Sequence, residues 1–579
     1  MAARKNATPP PTRTHQVYAA PAMPPWDEQT RALHTAVLEA PDDLKRRSVF
    51  ADALVAQGDL RGEYIHLAMQ PSRDAVAEAR FELLRQHVSG AWAKDFIVDP
   101  SQRPVLSLSL GYQNGLPWNF NLRARQLPTL AWLTKRAPIQ ALWTSEYEAP
   151  TNYLEQLAAQ PVCAHLRRFT LRQEARTEGD RPSERLVPFL RSGAVRRLTH
   201  LSIEGHIDDA LARTLAEAPC CATLTSLTLV ASSSFPIGER ILEEVASLPL
   251  TDLALHNVTL TRSGATALAK SRSLRSLALR ASGGDGLAEL APLGPQLESF
   301  TFAKSEGADA TSLANAVGSM TSLRALDLSD SGLGGEALKL VLDAAPATLR
   351  TLNLSGLRLA EAGTRALTGS PLVRQLESLD CSSASVAITL LAAAPFERLH
   401  TLDVGNSRFG PDGARALASG FPALRDLSMI MNPVGAEGAK ALASAPWLPQ
   451  LEALHVFENK LGSTGFRAMA QRLSRVRELW LGRSNGLKGE PLHAAMRGEF
   501  PALRWLSVTD VEPELVTAFV LSGFGDDLTG FKVAHSTIPL ACAEALVTLP
   551  NVGTASANWS DVPTDALAVL RDRWPTLET

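Results

Sequence analysis

The stretch Leu451–Ala470, LEALHVFENKLGSTGFRAMA, combines two apolar periodicities. Its first half alternates apolar and polar side chains, which is typical of a strand with one buried face. Its second half places apolar side chains, among them Phe466 and Met469, at helical spacing. A strand and a helix of this length cannot bury their apolar faces alone, so we expect further copies of the unit on both sides.

Copies of this unit occur along most of the chain, and their first apolar positions are separated by 23 to 27 residues. These positions are Leu198, Leu224, Leu250, Leu274, Leu297, Leu323, Leu349, Leu376, Leu399, Leu424, Leu451, Val476, Leu503 and Leu528. Less regular copies begin at Ile139 and Leu166, and a degenerate copy over residues 552–570 is expected to close the array. A repeat array explains how a chain of 579 residues can fold without one large compact core.

The repeated pattern LxxLxL, with a period in the twenties, resembles the leucine-rich repeat. Units that continue with glycine and a helix, such as LGSTGFRAMA, FGPDGARALA and VGAEGAKALA, are similar to the ribonuclease-inhibitor-like subclass. The resemblance implies an α/β solenoid, a leucine-rich-repeat horseshoe with a parallel concave sheet and convex helices. A small all-α domain is expected to precede it.

A second resemblance covers Ala40–Leu67, APDDLKRRSVFADALVAQGDLRGEYIHL. This stretch resembles the repeat-companion domain of bacterial proteins that carry large duplicated families. The matching residues are Pro41, Asp42, Asp43, Phe50, Ala51, Asp52, Leu54, Gly58, Asp59, Arg61, Gly62, Glu63, Ile65 and Leu67. Phe50 and Ala53 depart from the family, which usually has Tyr and Trp there. The resemblance implies a bacterial source and a repeat array that follows, and it implies no activity.

The residues of this stretch also predict its local structure. Asp42 or Asp43 can cap the helix that follows, and Gly58 suits the end of that helix. We interpret three charged side chains as members of caps and ion pairs that fix the helices: Asp52, Arg61 and Glu63. The whole chain is then expected to contain a disordered proline-rich tail (1–25), the helical domain (26–100), a connecting segment with the N-terminal cap of the solenoid (101–165), and the repeat domain (166–579).

Composition and motifs exclude several classes of function. Net charge is −3, from 57 basic and 60 acidic residues, so we expect no nucleic-acid partner. The five cysteines are widely spread without a CxxC pair, which predicts neither a zinc site nor a disulfide framework. No apolar run is long enough to cross a membrane, and the N-terminus lacks the apolar core of a secretory signal. The chain also lacks the phosphate-loop, zinc-helix, nucleophile-elbow and EF-hand motifs. We therefore expect a cytoplasmic non-enzyme without cofactor, catalytic residue or membrane partner.

The ninth position of each unit should carry a side chain that bonds to the turns of neighbouring units. Asn occupies it at Asn432 and Asn459, and Ser occupies it in seven units. The serines are Ser232, Ser282, Ser305, Ser331, Ser407, Ser484 and Ser536. Four units have an apolar residue there that cannot form such bonds: Val258, Leu357, Ala384 and Val511. We therefore expect local irregularity around residues 350–390.

Alternation along each strand predicts which side chains face solvent. The third, fifth and seventh positions of the unit should lie on a sheet face that no helix covers. From the unit at Leu323 to the unit at Leu503, the fifth positions are Asp327, Asn353, Asp380, Asp403, Ser428, His455, Trp480 and Ser507. Since parallel strands lie about 4.8 Å apart, these side chains should form one row that begins acidic and ends aromatic.

Two candidate binding surfaces follow from this row. The first, the acidic row, comprises Asp327, Asp330, Asp380, Asp403 and Asp426, and it would favour a basic protein partner. The second, the aromatic patch, comprises Ile430, Met431, His455, Phe457, Trp480, Arg483 and Trp505. Two interpretations of the patch are open: a binding hot spot, or local packing against the turns. The acidic row could equally be a solvated surface.

The leading hypothesis is a non-enzymatic protein–protein interaction scaffold that binds a protein partner on the concave face. The alternative is a regulator of an enzyme, either a GTPase activator or an inhibitor of a nuclease or another hydrolase, that acts through the same face. An activator would need a catalytic Arg or Asn on an edge loop, and the sequence singles out neither. It also leaves the oligomeric state open.

Overall fold

A computed structural model describes most of the chain. The described residues are 26–74, 77–78, 80–81, 84–85, 88, 111–113, 116–123, 127–146, 149–173, 183–232, 235–305, 309–482, 485–487, 489–558, 560–574 and 577. The predicted tail over residues 1–25 and the end of the predicted helical domain lie outside this range, as does Arg483 of the aromatic patch.

The described strands form one sheet in chain order. The strands are β1 (Gly111–Gln113), β2 (Leu116–Arg123), β3 (Ala141–Ser145), β4 (Arg168–Arg172), β5 (His200–Gly205), β6 (Ser226–Ala231), β7 (Asp252–His256), β8 (Ser276–Arg280), β9 (Ser299–Ala303), β10 (Ala325–Asp327), β11 (Thr351–Asn353), β12 (Ser378–Asp380), β13 (Thr401–Asp403), β14 (Asp426–Ser428), β15 (Ala453–His455), β16 (Glu478–Trp480), β17 (Trp505–Thr509), β18 (Gly530–Ala534) and β19 (Thr554–Ser556). Eighteen of them, β2 to β19, are parallel to one another, and β1 pairs antiparallel with β2. The sheet stays open, because among the described strands β19 pairs only with β18.

Helices cover one face of this sheet. The α-helices are α1 (Glu28–Glu39), α2 (Leu44–Ala56), α3 (Leu60–Met69), α4 (Leu127–Leu133), α5 (Tyr153–Ala158), α6 (Ser183–Arg191), α7 (Asp209–Glu217), α8 (Glu239–Val245), α9 (Arg262–Leu268), α10 (Ala310–Ser319), α11 (Gly335–Ala344), α12 (Ala360–Thr368), α13 (Ile388–Ala393), α14 (Pro411–Ser419), α15 (Gly435–Ala443), α16 (Gly462–Ala470), α17 (Glu490–Met496), α18 (Pro513–Leu521), α19 (Leu540–Leu546) and α20 (Thr564–Arg573). Five 3₁₀ segments are Pro161–His165, Pro219–Thr223, Leu287–Gln296, Pro371–Arg374 and Leu448–Gln450.

The core is a row of leucines at the fourth position of successive units. They pair in register across the central strands and all are buried. From β10 to β17 they are Leu326, Leu352, Leu379, Leu402, Leu427, Leu454, Leu479 and Leu506. Full burial of one such side chain stabilises the fold by roughly 1.5–3 kcal/mol, so each unit depends on its neighbours for this contribution. The chain is an α/β solenoid with a bare sheet face and a helical face.

The opening stretch folds as the sequence predicts, with strand β15 followed by helix α16. Phe466 and Met469 are buried on the sheet side of the helix. Gly465 allows helices α15 and α16 to approach closely, because a Cβ there would lie 2.9 Å from the Cα of Ala436. The glycine that recurs in these units is therefore a packing requirement between successive helices at this position.

Helices α1 to α3 form the small all-α unit expected before the solenoid. Asp43 caps α2 by accepting hydrogen bonds from the backbone N–H groups of residues 45 and 46, and Gly58 ends it with a φ of +74°. Arg61 forms a buried ion pair of 2.6 Å with Asp59, which caps α3. The predicted ion pairs are confirmed, since Glu63 pairs with Arg80 and Asp52 contacts His66.

Asp42, the other candidate for the cap, instead joins the helical unit to the solenoid. Its carboxylate accepts hydrogen bonds from Gln140 Nε2 at 2.8 Å and from Arg167 Nη2 at 2.6 Å, and Arg197 lies 3.4 Å away. Burial raises the pKa of Asp42, but the hydrogen bonds from Arg167 and Gln140 outweigh that effect and hold the pKa below its ordinary value. A single turn of the helical unit thus contacts two successive repeats.

The asparagine ladder is longer than the sequence predicts. The Oδ1 atom of Asn432 accepts hydrogen bonds from the N–H groups of Ser407 and Phe409. Asn485 has the same role in the unit that follows Asn459, because its Oδ1 accepts from the N–H of Asn459 at 2.9 Å. The assignment of the ninth position to Ser484, a residue outside the described range, is therefore wrong by a single residue. An additional residue in that turn shifts the ladder to Asn485.

The expected irregularity around residues 350–390 is also wrong. Strands β11 and β12 pair in the same register as their neighbours. Leu357 and Ala384, which have no polar side chain, are buried in the turns. The N–H of Leu359 donates instead to the backbone oxygen of Ala384 at 2.9 Å. Backbone hydrogen bonds between units therefore replace the missing side-chain bonds.

We predict that Asn432→Ala will open the turn that precedes it in the stack. The substitution leaves the buried N–H groups of Ser407 and Phe409 unpaired, at a cost of about 1–3 kcal/mol each. Hydrogen exchange at these two amides, measured by mass spectrometry, should accelerate by about tenfold or more. The control is Asn459→Ala, because the Oδ1 atom of Asn459 accepts no hydrogen bond among the described residues. Equal exchange at Ser407 and Phe409 in both variants would contradict the ladder.

Candidate functional site

The predicted row of side chains exists on the bare sheet face. Asp327 pairs in register with Asn353, and the fifth positions then continue strand by strand to Trp480 and Ser507. Burial alternates along these strands, with the leucine buried and the side chains on either side of it partly exposed. The row extends beyond the prediction to Lys532 on β18.

The acidic part of the row has a structural role that the sequence pattern did not reveal. In four successive strands the fifth-position oxygen accepts a hydrogen bond from the backbone N–H two residues later, at 2.7 to 3.0 Å. The four acceptors are Asp327, Asn353, Asp380 and Asp403. Each such bond closes an Asx turn at the end of its strand. Asn353 shows that this turn needs an oxygen acceptor and no charge.

Only some members of the acidic row carry free negative charge. Asp327 forms an ion pair of 3.2 Å with Arg280, which reaches across from β8. Asp330 lies outside the row, in a turn with a φ of +52°, where its carboxylate rests on Gly356. Asp426, on β14 at the third position of its unit, accepts a hydrogen bond from Thr401 at 3.1 Å. The unpaired carboxylates of the row are therefore concentrated on β12 to β14.

Asp403 is the most constrained of these carboxylates. Burial raises the pKa of Asp403 above its ordinary value of 3.8, and the negative charge of Asp380 on the next strand raises it further. The N–H of Gly405, the Ser428 hydroxyl and His455 oppose this shift without cancelling it. The ionised form of Asp403 is therefore disfavoured in the folded chain.

The aromatic end of the row is a continuous surface of rings. The ring centroids of His455 and Trp480 lie 5.4 Å apart, and those of Trp480 and Trp505 lie 6.0 Å apart with planes inclined by only 16°. Trp480 is 37% exposed, whereas His455 and Trp505 are partly buried. We call these three side chains the aromatic platform. The Nε2 atom of His455 also contacts the Glu478 carboxylate at 3.3 Å, which places a negative charge beside the platform.

The other bulky side chains of the aromatic patch pack on glycines of adjacent units. Phe457 lies on Gly482, so that a Cβ at residue 482 would clash with the ring. Trp505 lies on Gly530 in the same way, and Ile430 lies on Gly405. Local packing therefore accounts for Phe457 and Ile430 and for one face of Trp505. Among the described residues of the patch, exposed apolar surface is largest at Trp480 and at Met431, which is 45% exposed.

The structure adds a second group of aromatic residues at the opposite end of the bare face. Trp143 lies on β3 at the fifth position of its unit, in register with Thr170, and is partly exposed. Trp118 lies on β2, with the Arg168 guanidinium 5.2 Å from its ring centroid. The irregular unit beginning at Ile139 could have revealed Trp143, because its fifth position is this residue. The predicted row was drawn only from the regular units, and both residues were missed.

Within the described part of the chain, no group of three or more His, Cys, Asp and Glu side chains is arranged to hold a metal ion. The helices described there are all too short or too polar to cross a membrane. The five cysteines are buried as free thiols, and burial raises the pKa of Cys163 to about 12. The described residues of the bare face thus present a charged and aromatic surface.

Comparisons with known proteins found one matching family model and several solved structures similar to this chain. A family model described as "Leucine Rich repeat" matches residues 319–342, and no curated protein matches the chain. The Rad7–Elc1 complex of yeast has a chain of similar structure, with 14% identity, a TM-score of 0.41, and coverage of 62% of this chain and 86% of that chain. The TLR13–ssRNA13 complex (14% identity, TM-score 0.37) covers 73% of this chain and 53% of that chain. The mouse RP105/MD-1 complex (15% identity, TM-score 0.35) covers 76% and 71%. The chain thus has the architecture of a leucine-rich-repeat solenoid, and residues 319–342 match the model of that repeat family.

Proposed function

We propose that this protein is a non-enzymatic scaffold that binds a protein partner on the bare sheet face, with Trp480 at the centre of contact. The observation that carries the proposal is the exposure of Trp480 between two other rings on adjacent, rigidly paired strands. Large aromatic side chains that are exposed and clustered dominate the binding energy of many protein interfaces. No reaction follows from these side chains, because they include no nucleophile held beside a base.

The neighbouring packing supports a binding role for this surface. Phe457 packs on Gly482 and Trp505 packs on Gly530, and these contacts restrict the positions that both side chains can adopt. A surface that is already ordered loses little conformational entropy when a partner binds, and so retains more of its contact energy as affinity. Local packing and binding are therefore complementary here: the partly buried rings of Phe457 and Trp505 order the surface around the exposed Trp480.

The carboxylates of β12 to β14 support a basic partner. Asn353 closes its turn without charge, so the charges of Asp380 and Asp403 are not needed for the turns. The raised pKa of Asp403 shows that its charge opposes folding. Binding surfaces often carry charged side chains that lower the stability of the fold, because function and stability can require different residues. The face therefore suits a partner that carries positive charge.

The proposal extends to the type of repeat and to the compartment. Strands β10 to β16 are each followed by an α-helix, which supports the ribonuclease-inhibitor-like type. The Asp43 cap, the Gly58 turn and the Asp59–Arg61 pair give structural roles to residues of the repeat-companion pattern and so support a bacterial helical domain of that kind. Buried free thiols support a reducing compartment such as the cytoplasm.

We predict that a photo-reactive benzoylphenylalanine at position 480 will cross-link a protein in extract of the source cells. The same residue at position 340 is the control, because Leu340 is also apolar and is 51% exposed but lies on helix α11 of the opposite face. Mass spectrometry of the covalent products should show one dominant partner from position 480 and none of it from position 340. Equal yields from the two positions would contradict binding on the sheet face.

We also predict that Asp403→Asn will stabilise the fold at neutral pH. The amide keeps the turn, as Asn353 does, and removes a carboxylate with a raised pKa. The protonated form of Asp403 contributes stability that is present below pH 3.8 and is lost as the pH rises. Urea denaturation should therefore show a more stable variant at pH 7 and no difference in strongly acidic buffer.

Asp327→Asn is the matched control for this measurement. Asp327 closes the same kind of turn, but its charge is paired with Arg280. Its replacement should leave stability at pH 7 unchanged or reduce it by up to about 1 kcal/mol. A loss of stability in Asp403→Asn as large as that in Asp327→Asn would contradict the conclusion that the charge of Asp403 opposes folding.

A further inference from the structure

We propose that the aromatic platform recognises arginine side chains in an extended basic segment of the partner. This inference rests on the proposed function, since it assigns the chemistry of the group that occupies the same surface. The site is the exposed indole of Trp480, flanked by His455 and Trp505. The carboxylates around it determine which kind of side chain it accepts.

Glu478 brings a negative charge to both indoles. It lies two residues before Trp480 on the same strand, so the two side chains share a face at a Cα separation of about 6.6 Å. It is also in register with Trp505 on the next strand, about 4.8 Å away. Its Oε1 atom contacts His455, and its side chain remains 42% exposed. A cation placed over the indole of Trp480 would therefore lie within reach of this carboxylate.

The charges around the platform are unequal on its two sides. Towards β13 and β14 lie Asp403 and Asp426, and Glu478 lies beside the platform itself. On the other side, Lys532 continues the row two strands after Trp480. A bound cation is thus attracted towards β14 and repelled from β18. The same carboxylates repel phosphate, which disfavours stacking of nucleotide bases on the indoles.

Arginine fits this arrangement better than lysine. A guanidinium is planar and weakly hydrated, so it can lie on an indole face while its N–H groups donate to a carboxylate. The ammonium of lysine can satisfy the charge but cannot stack. Parallel strands about 4.8 Å apart also allow successive side chains of one segment to reach Trp480 and then the carboxylates of β13 and β14.

The test is a titration of the intact chain with labelled peptides of defined composition, followed by fluorescence anisotropy at 150 mM salt. The probes are (Gly-Arg)₆, (Gly-Lys)₆, (Gly-Gln)₆ and (Gly-Glu)₆, together with a twelve-residue oligouridine. We expect the arginine peptide to bind several-fold more tightly than the lysine peptide, and the other three not to bind. Equal binding of the glutamine peptide, or preferred binding of the oligouridine, would overturn the proposal.

Three variants locate the binding. Trp480→Ala should weaken binding of the arginine peptide by about two- to fivefold, which is the range expected for a cation–π contact at an exposed site. Glu478→Gln should weaken it several-fold and reduce the preference for arginine over lysine. Trp143→Ala is the control, because Trp143 is also partly exposed on the bare face but lies on β3. An affinity that Trp480→Ala leaves unchanged, or that Trp143→Ala lowers equally, would overturn the proposal.

The result of the test for arginine recognition can be distinguished from the result of the test for the proposed function. If position 480 cross-links a partner whose contact segment lacks arginine, and the arginine peptide fails to bind, the scaffold function stands and the arginine assignment falls. If position 480 gives no cross-link and the arginine peptide does not bind, both the proposed function and the arginine assignment are contradicted. Circular dichroism of each variant will confirm that the fold is intact, and Glu478→Gln preserves side-chain size if Trp480→Ala fails to fold.

Discussion

The structure depends on the stacking of one buried leucine per unit on the leucines of the two adjacent units. Because these side chains pair in register from β10 to β17, the residues on either side of each are also brought into register. One apolar constraint therefore fixes two faces at once, a helical face that buries the core and a bare face that carries partly exposed side chains. The rows of carboxylates and rings are a geometric consequence of that stacking.

Polar side chains and glycines refine this framework locally. Asn432 and Asn485 hold the turns of neighbouring units, and backbone bonds perform the same task where the side chain is apolar. Gly482 and Gly530 provide the space that Phe457 and Trp505 occupy on the bare face. The exposed indole of Trp480 lies between the rings of His455 and Trp505. Order of this kind is consistent with a binding surface that is formed before the partner arrives.

Periodicity alone was enough to predict the solenoid, the bare face and the row from Asp327 to Ser507, because alternation and a constant repeat length determine register. It could not predict features that depend on one additional residue in a turn. The position of the ladder amide at Asn485, in place of Ser484, is such a feature. Periodicity also could not show that Asp380 and Asp403 close turns, since the same residue type serves as a turn acceptor and as a surface charge. The packing of Phe457 on Gly482 depends on the rotamer of Phe457, which the spacing of residues along the sequence does not determine. Trp143 follows the same alternation but lies in an irregular unit, where the repeat length is a weaker guide.

The most direct test of the account is the solvent exposure of individual tryptophans in the intact chain. Hydroxyl-radical footprinting with mass spectrometry measures this for Trp480 on the bare face, Trp505 on its glycine and Trp447 in the core. The account predicts that Trp480 is oxidised fastest, Trp505 more slowly and Trp447 hardly at all. Oxidation of Trp480 as slow as that of Trp447 would show that the row does not face solvent, and would contradict both the register and the binding surface derived from it.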